Sequence, residues 1–148
     1  SPWVWTMRVV QPVQSGLVRR GDSVLVRRLR GAPRRGDVVV ASTGSEQYPT
    51  LFGPVIGVPG DRLVIGAPVF VNGQPTIASV EGAGGVELVL GPGEYWVRPF
   101  WHGNAGQGRG AAAGVVWGHN VRGRVVAVVY PRGRRARIHS ESIYSRKD

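Results

Sequence analysis

The sequence predicts a mainly β protein, one domain whose strands coil into a small sandwich or a partly open barrel. Three observations carry this. Val is abundant, and 23 Gly and 11 Pro are spread through 148 residues, a composition that favours strands interrupted by turns over helices. Gly-Asp steps at Gly21-Asp22, Gly36-Asp37 and Gly60-Asp61 each precede an apolar run of strand length. Nothing shows the 3.6-residue period of a long amphipathic helix. A chain of this length can bury one core of its own.

The elements follow in order. Residues 1–8 hold Trp3 and Trp5 and are far too short to span a bilayer. They read as a membrane-proximal segment from which an anchor has been removed, or as an expression remnant that includes Ser1. The domain is expected to run from residue 9 to 131. "VVQPV" is an extended approach, and "RRGDSVLV", "PRRGDVVV" and "VPGDRLVI" are each a turn entering a strand. In these turns Gly supplies the backbone conformation and the Asp carboxylate accepts hydrogen bonds from nearby backbone N–H groups. Asn72-Gly73 is a hairpin signal. Strands are expected near Val86–Leu90, over Glu94–Val97 and over Arg124–Tyr130, with a glycine-rich loop from Gly103 to Gly114. Residues 132–148 form a basic, weakly patterned tail, expected to be a short helix or disordered.

The formal net charge is +10, carried by Arg except for Lys147. Such a surface suits anionic lipid or nucleic acid. A solvated surface and a compositional bias toward Arg, Gly, Ala and Val are equally ordinary explanations. The aromatic residues do not interleave with the Arg clusters as a stacking platform requires, so nucleic acid is disfavoured. There is no Cys, which excludes disulfides and thiolate metal sites. His102, His119 and His139 lack metal-ligand spacing, and no metal or cofactor is expected. The Gly103–Gly114 loop lacks the Lys-Ser/Thr ending of a phosphate-binding loop.

In order, the segments "VVQPV", "GDSVLVRRL", "PRRGDVVV", "PVIGVPGDRLVI", "VFVNGQP", "GPGEYWV" and "VRGRVVAVVYP" resemble the type I signal peptidase family, including its conjugative-transfer branch. The likeness covers most of residues 9 to 131. It implies a signal-peptidase-like β fold on the outer face of the bacterial membrane. It also implies a Ser nucleophile and a Lys general base that cut secretory precursors held extended beside a strand. Such a Lys must be neutral at working pH, which burial in an apolar setting makes possible. Arg cannot replace it, because its guanidinium stays protonated.

The residues that carry this chemistry are not recognisable. The family's Ser-Met-x-Pro loop precedes the first Gly-Asp. An ungapped alignment puts Val13 at the Ser, and the alternative alignment leaves a gap of about half a dozen residues there. The Lys position before "PVIG" is Gly53, and the sole Lys of the chain is Lys147. The family's last box survives at most as Asn104 and Arg109. Ser15 and Thr50 are the remaining hydroxyls near the site, with His102 or His119 as conceivable bases, but no spacing supports a Ser-His pair.

The expectation is a pseudopeptidase, with no catalytic residue assigned. It would bind an extended peptide of a secreted or surface protein by strand addition. The candidate groove is formed by Val13, Gln14 and Ser15 on one side and by Gly53, Pro54 and Val55 on the other. Gly53, lacking a side chain, is expected to leave a strand edge accessible. The rivals are an active serine endopeptidase with a rearranged site and an Arg-driven binder of anionic lipid or nucleic acid.

Overall fold

The computed structural model describes residues 3–10, 13, 16–43, 50–100 and 114–145. Twelve strands are found among them: β1 (Val4–Arg8), β2 (Ser23–Arg27), β3 (Val38–Ser42), β4 (Thr50–Gly57), β5 (Arg62–Ile65), β6 (Phe70–Val71), β7 (Gln74–Pro75), β8 (Val86–Val89), β9 (Glu94–Val97), β10 (Val115–Trp117), β11 (Val121–Tyr130) and β12 (Ala136–Arg137). The larger sheet runs β1-β2-β11-β3-β4-β9-β10, with β12 paired to β11, and the smaller runs β7-β6-β5-β8. The described residues contain no helix long and apolar enough to cross a membrane.

The predicted mainly β architecture is observed, as a sheet curled into a half-barrel. The curl has a local cause. β11 is the longest strand and pairs with both β2 and β3, and its register shifts at Val125/Ala127, at Val128/Tyr130 and at Val121/Gly123. Each irregularity bends the strand and raises its twist. The concave side closes over Val9, Val18, Val24, Val26, Phe52 and Phe100, with Trp5, Met7 and Val13 packed against them. A second apolar cluster, around Trp96, Ile56 and Leu63, joins the two sheets.

The three Gly-Asp turns are one device used three times. Gly21, Gly36 and Gly60 have φ of 94°, 89° and 90°, a region open to glycine and costly for other residues. Asp22, Asp37 and Asp61 are all buried. Each accepts a hydrogen bond at Oδ2 from the backbone N–H three residues earlier, at Arg19 (2.9 Å), Arg34 (3.0 Å) and Val58 (2.9 Å). Each carboxylate then meets a distant partner. Asp22 takes both Nε and Nη2 of Arg134 at 2.9 Å. Asp37 accepts from the Ser140 hydroxyl. Asp61 accepts from Arg35 at 2.6 Å and from Asn72 Nδ2 at 3.0 Å.

Those partners refine the expectation for the tail. Arg134 and Ser140 belong to the segment expected to be a short helix or disordered; a short 3-10 helix does occur at Arg132–Arg134, and the rest of the described part is a strap across the domain. β12 pairs with β11, Ile138 and Ile143 are buried, and Tyr144 bridges to Thr76. Its weak pattern hid an anchor every few residues, because a strap follows neither strand nor helix periodicity. The segment expected to be membrane-proximal contains β1. β1 is paired with β2 along its length, and Trp5 and Met7 reach the core.

Candidate functional site

Of the positions that the resemblance assigns to nucleophile and base, Val13 packs against the cluster on the concave side and Gly53 lies within β4. Val9 approaches along β2, donating its N–H to the Asp22 carbonyl (2.8 Å) and accepting from Gly21 N–H (2.7 Å). Val13 is half-buried and packs against the cluster that contains Phe52 and Phe100. Those two rings meet edge to face, with centroids 5.1 Å apart. The neighbourhood of position 13 is therefore apolar. Gln14 and Ser15 lie outside the described residues, as do His102, Asn104 and Arg109.

Gly53 sits inside β4, opposite Val39 of β3. The expectation of an accessible edge there fails, because both sides of β4 are occupied. On the side away from β3, Arg98 N–H donates to the Pro54 carbonyl (3.0 Å) and Phe100 N–H to the Phe52 carbonyl (2.9 Å). A regular antiparallel pair would return a bond from residue 54 to the Arg98 carbonyl. Pro54 has no N–H to give. The Arg98 carbonyl instead turns over the face of β4 and occupies the space of a Cβ at Gly53, with Arg98 C at 3.0 Å and Pro99 Cα at 3.2 Å from that point. Gly53 and Pro54 thus work together, one freeing the carbonyl and the other making room for it. Val55 is fully buried in a different cluster, with Val39, Leu51 and Val97. Pro54 is half-buried. The structure places Val13 with Phe52 on one face of β4, while Gly53, opposite Val39, shares the other face with Leu51 and Val55.

Arg98, whose carbonyl lies over Gly53, also carries a partly buried cation. Its Nε donates to the Ser79 carbonyl (2.9 Å) and its Nη1 to the Pro99 carbonyl (3.1 Å). Burial pushes its guanidinium below the ordinary value, yet an arginine remains protonated in such a setting. Thr50 opens β4 opposite Ser42. His119 stacks on Trp117 with ring centroids 6.1 Å apart, and among the described residues no hydrogen bond joins it to a hydroxyl.

The open edge is elsewhere. β1 is the terminal strand of the larger sheet. The Trp3 carbonyl and both backbone groups of Val9 are bonded toward β2. By alternation, the N–H and C=O groups of Val4, Thr6 and Arg8 point outward. The side chains of those three residues are exposed, while Trp5 and Met7 face inward. Reading the sequence missed this edge because residues 1–8 carry no turn signal and resemble a leader more than a strand.

A family model described as signal peptidase, peptidase S26 matches residues 8–85, just over half of the chain. The match spans all three Gly-Asp turns, the Asn72-Gly73 hairpin, and both positions 13 and 53. No curated protein matches the chain.

Proposed function

Because the chain belongs to the signal peptidase S26 family, a family of serine peptidases, we propose that it uses the family's β scaffold to hold an extended peptide without cutting it by Ser/Lys chemistry. One observation carries the reading: the position of the general base is a glycine whose side-chain space is filled by the Arg98 carbonyl. Two others support it. The position of the nucleophile in the ungapped alignment is Val13, packed on an apolar cluster, and the only Lys is Lys147. Arg98, the neighbouring cation, cannot give up its proton to serve as a base.

The peptide adds to the outer edge of β1, where the alternate N–H and C=O groups pair with no other strand among the described residues. Val4 and Val10, 46% and 66% exposed, offer apolar contacts along that edge. The natural partner is a segment of a secreted or surface protein, met at the outer face of the bacterial membrane. This family is membrane-associated.

Two measurements test the reading. A fluorogenic precursor peptide with small residues before the cut is expected to bind and to remain intact. Turnover that vanishes in Ser15→Ala or Thr50→Ala would establish a rearranged peptidase instead. Thr6→Pro removes one outward N–H from an edge strand, where proline is tolerated. It is expected to weaken peptide binding with little change in thermal stability, and unchanged binding would remove β1 as the docking edge.

A further inference from the structure

The loop from Arg28 to Arg34 joins β2 to β3 and gathers positive charge at one corner of the half-barrel. With Arg27 and Arg124 it lines an open cleft of about 370 Å³. Arg27 and Arg124 are cross-strand neighbours, and the loop is pinned by the buried Pro33 and by the bond from Arg34 N–H to Asp37. Five arginines, Arg27, Arg28, Arg30, Arg34 and Arg124, thus line one cleft with the single acidic residue Asp37. That carboxylate is 8% exposed and already accepts from Ser140, with Arg124 Nη1 3.8 Å away. Among the described residues no carboxylate pairs with Arg27, Arg28, Arg30 or Arg34. Arg28 also borders a second open cleft of about 590 Å³ with Arg122, His119 and Trp5.

Exposed apolar surface lies at the same corner. Val4 is opposite Arg27 in the β1–β2 ladder. Arg28 donates its N–H to the Trp3 carbonyl at 2.8 Å and places its guanidinium 5.9 Å from the centroid of the Trp3 ring. Trp3 is 63% exposed. Clustered cations held by a short pinned loop repel one another and are relieved by a polyanion. An exposed Trp beside them has no role toward a phosphodiester backbone but fits the boundary between head groups and acyl chains.

We propose that this corner docks on an anionic bilayer. The guanidinium groups of Arg27, Arg28, Arg30, Arg34 and Arg124 would take lipid phosphates, and Trp3 would enter the interface beside them. The arginines stand on β2, β11 and the loop after β2 rather than on β1, and although Val4 borders both surfaces, lipid docking does not require a peptide on the outward edge of β1.

The test uses the 148-residue chain and vesicle co-sedimentation. Vesicles rich in phosphatidylglycerol are expected to bind it, with affinity falling as salt rises, and phosphatidylcholine vesicles are not. The double variant Arg28→Glu, Arg30→Glu is expected to lose at least about tenfold in affinity. The control Arg62→Glu, Arg137→Glu makes the same change in net charge elsewhere and is expected to stay near the parent. Addition of anionic vesicles should blue-shift the tryptophan emission, and Trp3→Phe should remove most of that shift. Equal losses in the two charge variants, equal binding to neutral vesicles, or a shift that survives in Trp3→Phe would each overturn the proposal. So would tighter binding, per phosphate, to a duplex DNA oligonucleotide.

Discussion

Replacing Gly53 by Ala tests the geometry on which the functional reading rests. A Cβ at this position falls well inside contact distance of the Arg98 carbonyl oxygen and lies 3.0 Å from Arg98 C and 3.2 Å from Pro99 Cα. All three are backbone atoms, so no side-chain rotation relieves the clash. Carbon–oxygen contacts in proteins settle at about 3.3 Å or beyond, so the carbonyl must retreat by roughly an ångström or more. That retreat pulls on the Arg98–Pro54 and Phe100–Phe52 hydrogen bonds that flank it. Overpacking costs about 1–3 kcal/mol, and losing or weakening the two bonds adds about 1–2 kcal/mol. The sum, about 2–5 kcal/mol, corresponds to a fall in Tm of about 5–15 °C for a chain of this size. Urea and thermal unfolding of Gly53→Ala should show it. Gly31→Ala is the control, because nothing lies within 4 Å of a Cβ there, and it should be neutral or slightly stabilising. If Gly53→Ala unfolds with the parent, the backbone yields readily, a lysine can be seated at 53, and the principal support for the pseudopeptidase reading is gone.

Three further outcomes follow from the turn network and the strap. The hydrogen bond from Arg134 holds the Asp22 carboxyl below its ordinary value, with burial opposing. A depressed carboxylate stabilises the fold above its ordinary pKa, and that stability is lost as pH falls through the depressed value. Arg134→Gln should therefore move the acid limb of a Tm–pH profile to higher pH, and an unmoved limb counts against the pair. Ile143→Ala removes a fully buried side chain of the strap and should cost about 2–4 kcal/mol in urea unfolding, whereas a detached tail would make it silent. Asn72 has φ of 49°, donates to Asp61 and accepts from Arg62 N–H at 3.0 Å. Asn72→Ala should cost about 1–3 kcal/mol in the same assay.

The parts of the fold that were legible in the sequence are those governed by local chemistry. A Gly that must take positive φ, followed by an Asp that caps the turn, leaves a mark within two residues, and all three marks fell on turns. Asn72-Gly73 closes the β6–β7 hairpin, and the strand over Glu94–Val97 lies where its pattern put it. What depended on distant partners could not be read. Nothing near Arg134 announces that it reaches Asp22, 112 residues away. Nothing near Gly53 announces a carbonyl arriving from Arg98. The Gly-Pro pair was visible, but its meaning required knowing which strand lies alongside. The same holds for β1, whose value as an edge is set by its place in the sheet rather than by its residues.

The scaffold and the chemistry of this family answer to different constraints, which explains how one can persist without the other. Each turn Asp is buried and bonded to backbone and to a distant side chain, so losing one strands donors in the interior at a cost in stability. A Ser/Lys dyad makes the opposite demand. Its lysine must be buried neutral in an apolar setting, which opposes folding unless catalysis requires it. Here Val13 packs with Phe52 and Phe100, and the Arg98 carbonyl closes over Gly53. Neither position carries a titratable side chain. A hydroxyl at 13 and an amine at 53 would each disturb a packed position, one on either face of β4. On the proposed reading, packing at these two positions favours the arrangement found, while the turns and the strap keep the scaffold that presents the β1 edge.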